Sequence, residues 1–288
     1  YTVYTPYSKL WLNEFQKIDL QGFTSEKKLD NLLDIPFEEL RIEDIGFQKT
    51  DLSFEVPEAD LHIIKTYEET RNFPAVKGTT QLGVHLRFGT ISVRKLAKIA
   101  KENNLTFLKE LIWREFFMQI LYHFPKVVNH SFKAKYDAIP WENNPEFLEK
   151  WKAGKTGFPI VDAGMRELNA TGFMHNRVRM ITASFLIKHL LTDWRIGEAY
   201  FAEKLMDYDL SANNGNWQWC ASSGCDAAPY FRIFNPDEQQ KKFDPDFKYI
   251  KKWIPEFGTK YYPKPIVEHK KAREKVLKVY KEALDNLD

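Results

Sequence analysis

Residues 106–123, Thr-Phe-Leu-Lys-Glu-Leu-Ile-Trp-Arg-Glu-Phe-Phe-Met-Gln-Ile-Leu-Tyr-His, run for about five helical turns without a Gly or Pro. They are apolar nearly all round, and a helix of that kind has no face to give to water, so other elements must wrap it. The rest of the chain offers helices for the purpose. Pro57 opens a pattern through Leu61, Ile64, Tyr67 and Glu68, and Ser92 stands as an N-cap before Leu96, Ile99 and Ala100. Further helices are expected at about 145–152, 160–170, 174–191, 195–206 and 268–286, the last with the stripe Val276, Val279, Tyr280 and Ala283. No strong alternating strand interrupts them, and the expectation is an all-α domain over residues 57–288. Residues 1–54 show short apolar clusters with no sustained period, so 1–56 reads as a linker and lead-in. Opening at Tyr1 in such a segment leads us to expect a further part upstream.

Apolar residues at 43% and charged residues at 28% suit a soluble globular protein. No run of about 18 apolar residues appears, and the N-terminus lacks the regions of a secretion signal. Cys220 and Cys225 suit neither a zinc site nor a disulfide framework, which makes a reducing cytoplasm the expected setting. The net charge of +2 conceals an asymmetry: residues 1–70 hold 7 basic and 15 acidic side chains, a sum of −8, which leaves +10 on residues 71–288. That field attracts a polyanion without identifying one. Aromatic residues make up 15% of the chain, fitting a large core or a protein that stacks planar rings.

Several clusters carry candidate chemistry. Phe107, Glu110, Trp113, Arg114 and Phe117 recur at spacings of three and four, so a carboxylate and a guanidinium share one helix face, either as an internal ion pair or as a cavity wall. Asn176, Arg179 and Met180 lie on one side of the next candidate helix, with Arg177 displaced. An amide, a cation and a thioether together suit the edge and face of a base or flavin better than ordinary core packing. In 207–219, Asp207, Asp209, Asn213 and Asn214 precede Trp217 and Trp219; capped helix ends account for the polar residues but not for the tryptophans. The small and hydroxylated run Thr79-Thr80-Gln81-Leu82-Gly83 has the chemistry to hold a phosphate with backbone N–H groups. No zinc-hydrolase, nucleophile-elbow or P-loop motif is present, and no metal is expected.

Taken in order, Leu111-Ile112-Trp113-Arg114-Glu115-Phe116, Lys155 to Ala163, Met174-His175-Asn176-Arg177-Val178-Arg179-Met180, Trp217-Gln218-Trp219 and Asp226 to Pro236 resemble the FAD-binding domain of the photolyase/cryptochrome family, most nearly bacterial cyclobutane-dimer photolyases. The resemblance runs from about residue 57 to the C-terminus. It implies a helical domain holding a bent FAD, with Tyr67, Thr79, Thr80, Gln81, Leu82 and Gly83 at the phosphates. Phe107, Glu110, Arg114, Phe117, Asn176, Arg179, Asp207, Asp209 and Asn213 match positions lining the flavin, with an Arg179–Asp207 ion pair over the ring and Asn213 facing N5. Glu110, Trp113, Asn176, Met180 and Trp219 match the pocket for a flipped pyrimidine dimer; Arg71, Arg177 and Arg232 match or neighbour positions that contact DNA phosphates. Glu110 and Asn213 are the implied catalytic residues, and Trp141, Trp194 and Trp217 the implied electron-transfer chain. The implied reaction is light-driven electron transfer from reduced FAD to a dimer in UV-damaged DNA, with return of the electron after two C–C bonds break.

Some positions depart from the family pattern. Gly83 stands where many relatives have Ser, Phe107 and Phe173 where many have Trp, and Asn216 where Gly is common. The family's N-terminal α/β antenna domain does not match any part of this chain, so an antenna chromophore cannot be read from it; a separate N-terminal antenna fragment is one expected partner of an otherwise monomeric protein. A cryptochrome-like photoreceptor and a (6-4) photolyase are the alternatives. Asn213 differs from the acidic residue usual in plant cryptochromes, and Asn176 with Met180 differs from the histidines favoured by animal cryptochromes and (6-4) enzymes.

Overall fold

Short polar side chains placed just before apolar runs decide where most helices begin. Asp60, Ser92, Asn104, Asn144, Asp193, Asp209 and Asn235 each accept a hydrogen bond from a backbone N–H of the first turn, satisfying donors that the helix itself leaves open. The computed structural model describes residues 1–18, 24–33, 35–36, 38–50 and 56–285. In chain order the described residues form α1 (Tyr4–Phe15), α2 (Leu61–Thr70), α3 (Gly83–Phe88), α4 (Val93–Asn103), α5 (Leu105–His123), α6 (Pro145–Lys152), α7 (Pro159–Thr171), α8 (Asn176–Lys188), α9 (Trp194–Lys204), α10 (Leu210–Ala221), α11 (Pro236–Phe243), α12 (Lys248–Trp253) and α13 (His269–Asp285). No strand occurs among them, so the all-α expectation holds, as does the cap at Ser92. Residue 286, the last of the expected C-terminal helix, lies outside the described residues.

Two large cores meet at the middle of the molecule. One gathers α6 to α10 and α12 around Trp151, Phe185, Trp194 and Trp217; the other gathers α1, α2, α4 and α5 around Leu96, Ile112 and Phe116. A smaller cluster docks α13 through Val276, Tyr280 and Leu284. α5 buries Phe107, Leu108, Leu111, Ile112, Phe116, Phe117 and Ile120, yet it is not wrapped all round: Leu105, Lys109, Glu115 and Tyr122 are exposed. It meets α10 at Gly215, where an added Cβ would stand 2.1 Å from Phe117. Only a hydrogen lets the two helices approach that closely.

Within the expected connector, α1 is a finding the residue pattern did not announce. It buries Tyr4, Ser8 and Phe15 and lies against α5. Residues 19–23, 34, 37 and 51–55 of that segment lie outside the described residues. No helix among the described residues is long and apolar enough to cross a membrane.

Lys188 is the least expected core residue, 1% exposed at the end of α8. Its ammonium donates to Ser222 Oγ at 3.2 Å and stands 3.7 Å from the centre of the Tyr280 ring. Burial pushes its pKa down to about 7. The unfolded chain therefore binds this proton up to the ordinary lysine range while the folded chain releases it near 7, so folding pays most below pH 7. Lys188→Met should raise stability by about 1–2 kcal/mol at pH 7. In urea melts the gain should fade as pH approaches 10; a variant less stable than the parent at every pH would contradict this reading.

Candidate cofactor and substrate site

The site is built mainly from α8, α10, the Asp207–Asp209 segment before α10 and the turn before α3, with α5 packed behind α10. On α8, His175 caps the helix by accepting from the Arg177 backbone N–H at 3.2 Å, which sets Asn176, Arg179 and Met180 on the side facing α10. Arg179 Nε donates to the Met174 carbonyl at 2.7 Å, and its terminal nitrogen donates to Asp207 Oδ2 at 2.9 Å. The expected ion pair is thus formed. The other oxygen of Asp207, Oδ1, is buried with no hydrogen-bond partner. A buried carboxylate oxygen without a donor is costly, and such atoms mark places where a ligand donor is expected.

Asp207 lines two cavities. One, of about 940 Å³, runs past Thr80, Gln81, Leu82, Val84, Phe173 and Trp253; the other, of about 90 Å³, is walled by Asn176, Arg179, Met180, Asp209, Asn213, Trp217 and Trp219. The larger lies at the upper end of the roughly 300–1,000 Å³ usual for small-molecule sites. Gly83 lies against Asp207: a Cβ there would stand 2.7 Å from Asp207 Oδ2. Any side chain at this position, including the serine the family resemblance leads one to expect, therefore requires the Asp207 carboxylate to move.

Asn213, on α10, is oriented by a residue that sequence reasoning missed. Its Nδ2 donates to the Glu198 backbone oxygen at 3.1 Å and to Glu198 Oε1 at 2.9 Å. That spends the amide's donors on α9 and leaves its oxygen for the cavity. Burial pushes the Glu198 carboxyl upward, opposed by the hydrogen bond from Asn213. A lone glutamate on a mixed helix carries no sequence signal; only the pairing reveals it. Asp209 is the N-cap of α10, accepting from Ala212 N at 3.1 Å and from the Ser211 hydroxyl, so the cap reading of this residue holds while it also borders the smaller cavity.

The candidate face of α5 is arranged differently from the internal ion pair its spacing allowed. Glu110 pairs with Arg71, at the end of α2, while Arg114 donates to the Leu86 carbonyl of α3 at 3.2 Å. Burial raises the Glu110 pKa, and the Arg71 cation opposes the rise. Phe107 is buried edge-on against Tyr67, with ring centres 5.1 Å apart, and burial raises the Tyr67 phenol as well. Phe107, Glu110, Arg114, Phe117 and Tyr67 line neither of the two cavities that share Asp207. Thr79 begins the turn before α3, and Gln81 holds a left-handed backbone with φ 54°.

Arg177 lies within electrostatic reach of two further arginines, Arg71 and Arg232, the last of them beside Trp219. Arg177 donates to Asn72 Oδ1 at 2.7 Å and lies 4.4 Å from the Phe243 ring centre, and Arg232 is 5.9 Å from that of Trp219. Burial lowers the Arg177 pKa, helped by the nearby charges of Arg71 and Arg232. Of the three candidate chain tryptophans, Trp217 and Trp194 are buried in the core shared by α8 to α10, and the partly buried Trp141 packs against it, 6.0 Å from Tyr280. Trp217 rests on Phe201 and Trp151 at 5.0 and 6.3 Å.

These residues fit FAD. A carboxylate oxygen without a donor beside a fixed cation, an amide oxygen held toward a cavity, and a hydroxyl-bearing turn next to the larger space match the polar edges and phosphates of a flavin dinucleotide.

The comparisons agree with this chemistry. The family model described as the FAD binding domain of DNA photolyase matches residues 107–260. A deoxyribodipyrimidine photo-lyase of Escherichia coli is 48% identical over 75% of this chain and 52% of its own length; one from Salmonella typhimurium is 39% identical over 98% of this chain and 68% of its own. The crystal structure of a bacterial class III photolyase from Agrobacterium tumefaciens superposes with a TM-score of 0.73 at 42% identity, covering 77% of this chain and 53% of that one. The chain thus spans about half the length of the Escherichia coli relative. With the matched region holding Asn176, Arg179, Asp207 and Asn213 together around one site, the chain belongs to the DNA photolyase family and carries its FAD-binding domain.

Proposed function

We propose that this chain performs the light-dependent splitting of cyclobutane pyrimidine dimers in DNA, as the catalytic part of a deoxyribodipyrimidine photo-lyase. The observation that carries the reading is the juxtaposition of a flavin-type site, Arg179–Asp207 with Asn213, and an aromatic and cationic mouth formed by Trp219, Met180, Arg177 and Arg232. The relatives' names supply the reaction class. When bound, reduced FAD supplies the light absorption and the transferable electron.

The protein's own part is positioning and electrostatics. Arg179 and Asp207 hold the cofactor's polar edge, Asn213 offers its amide oxygen at the ring, and the turn 79–83 takes the phosphates. Trp113 and Trp219 give a flipped dimer aromatic walls, which suits a lesion that stacks and pairs poorly in the duplex. Arg71, Arg177 and Arg232 gather phosphates, and binding should weaken steeply with salt. Glu110 faces the dimer. In doing so it exchanges the Arg71 partner for the base edge, and burial, which raises its pKa, favours the protonated form that can donate to a developing anion. Trp141, Trp194 and Trp217 serve to reload the electron. Two free thiols support a cytoplasmic setting.

Blue light on the flavin-loaded chain with reductant should convert a thymine-dimer oligonucleotide to intact thymines. Glu110→Ala should slow that conversion roughly tenfold while leaving bound flavin unchanged. Flavin binding with no dimer loss under light would replace this reading with a photoreceptor role.

A further inference from the structure

The face of Trp113 assigned to the substrate wall is not independent of the N-terminal helix. Tyr4 and Trp113 form the closest and most nearly parallel ring pair among the described residues, with centres 3.6 Å apart and planes 3° from parallel. Although Thr2, Val3 and Thr5 beside it are exposed, Tyr4 is only 9% exposed. Two hydrogen bonds fix it: the hydroxyl donates to the Lys109 carbonyl at 2.9 Å, and the backbone N–H donates to Asp226 Oδ2 at 3.2 Å. Its edge meets Phe116 at 5.8 Å. Farther along, Trp11 Nε1 donates to Glu115 Oε2 at 2.8 Å and Gln119 donates to the Tyr1 carbonyl at 2.9 Å, so with the Lys109 contact the N-terminal segment is tied to α5 before and after Trp113.

Asp226 adds the second link. It stands in the segment that follows α10, between Trp219 and Arg232, so Tyr4 bridges the helix that carries Trp113 to the segment joining Trp219 to Arg232. Phe117 covers a further part of the indole, with centres 5.5 Å apart and planes at 29°. The indole is thereby clamped in one orientation and presents its remaining free surface, part of a half-buried residue, outward. A tryptophan on a helix otherwise swings between staggered rotamers, and each swing would open or close the wall.

We propose that Tyr4 is a positioning residue of the lesion pocket, holding Trp113 in the orientation that receives a flipped pyrimidine dimer. The assignment rests on the substrate reading given above for Trp113. It makes α1 part of the substrate-binding apparatus, reaching the pocket through one ring stack.

The test uses the flavin-loaded chain and a thymine-dimer oligonucleotide, with two readouts: the dissociation constant in the dark and the repair rate at saturating DNA under blue light. Tyr4→Ala should weaken dark binding roughly five- to tenfold, the scale of one lost aromatic stack, with the saturated repair rate and flavin absorption preserved. Tyr4→Leu, which fills the space without a ring and guards against loss of α1, should give a similar loss. Tyr4→Phe should restore binding, because it keeps the stack and gives up only the hydroxyl. Unchanged binding in Tyr4→Ala and Tyr4→Leu, with clear weakening in Trp113→Ala, overturns the role of Tyr4 alone. Tighter binding in Tyr4→Ala also overturns it, since the ring would then be covering the surface the dimer needs. If Trp113→Ala itself leaves binding unchanged, the substrate reading of Trp113 falls and the proposal with it.

Discussion

Asp207→Ala should leave the purified chain nearly colourless. The substitution removes the partner of a guanidinium that is only 24% exposed and whose other contact is the Met174 carbonyl. Breaking a buried pair by deleting one member costs about 3–5 kcal/mol, because the remaining charge keeps its desolvation without its counter-charge. Discounted for partial exposure, about 2–4 kcal/mol remains as a cost to the fold, and the cofactor loses a charged hydrogen-bond acceptor worth about 1.5–3 kcal/mol, roughly 10- to 150-fold in affinity. The loss also takes away the oxygen that has no partner within the protein. Asp207→Asn keeps the shape and one acceptor and should fall between parent and alanine variant. Flavin fluorescence titration measures both; affinities within threefold of the parent would mean that this pair does not face the cofactor.

The second large effect is an acid-induced loss of stability driven by two buried histidines. His175 is 4% exposed with its Nε2 unpartnered, and burial, aided by Arg177 and Arg179, pulls its pKa down to about 4. His189 is 6% exposed and shares a 2.8 Å hydrogen bond with His269; burial, then His269, pulls it down to about 3. Below the ordinary histidine value of about 6.5 the unfolded chain takes up protons that the folded chain refuses until its lower pKa is reached. Stability is therefore complete above 6.5 and is lost as pH falls toward 4 and 3. By pH 5 each histidine contributes a loss of about 2 kcal/mol. Asp162 and Glu167, raised by burial, act in the opposite sense: they favour the fold at low pH and lose that advantage as pH rises through their folded values. The fall in the urea midpoint between pH 7 and pH 5 should be at least halved in a His175→Asn, His189→Asn double variant. An equal fall would assign the acid sensitivity to other groups.

Particular residues show how far the chain could be read before its fold was known. The helices α5, α8 and α10 carry their roles in local order: unbroken apolar turns, a polar cluster at fixed spacing, and paired tryptophans after a cap. The Arg179–Asp207 pair was expected from the resemblance and is formed. Glu110 was different. Spacing placed Arg114 one turn away, yet its partner is Arg71, 39 residues distant, because Arg114 turns to a carbonyl at the end of α3. Local spacing lists which groups share a face, while the tertiary neighbours decide which pair forms. The same reason hides Glu198 and α1. In α1 the apolar positions Tyr4, Tyr7, Trp11, Leu12 and Phe15 do fall at helical spacing, but over only about three turns, too short to hold a helix alone, and packing on α5 settles it.

The contact between Phe117 and Gly215 has a mechanical consequence. Because the ring sits in the notch left by a missing side chain, α5 and α10 cannot slide past one another without a collision. The helix carrying Glu110 and Trp113 and the helix carrying Asn213, Trp217 and Trp219 therefore move as one body.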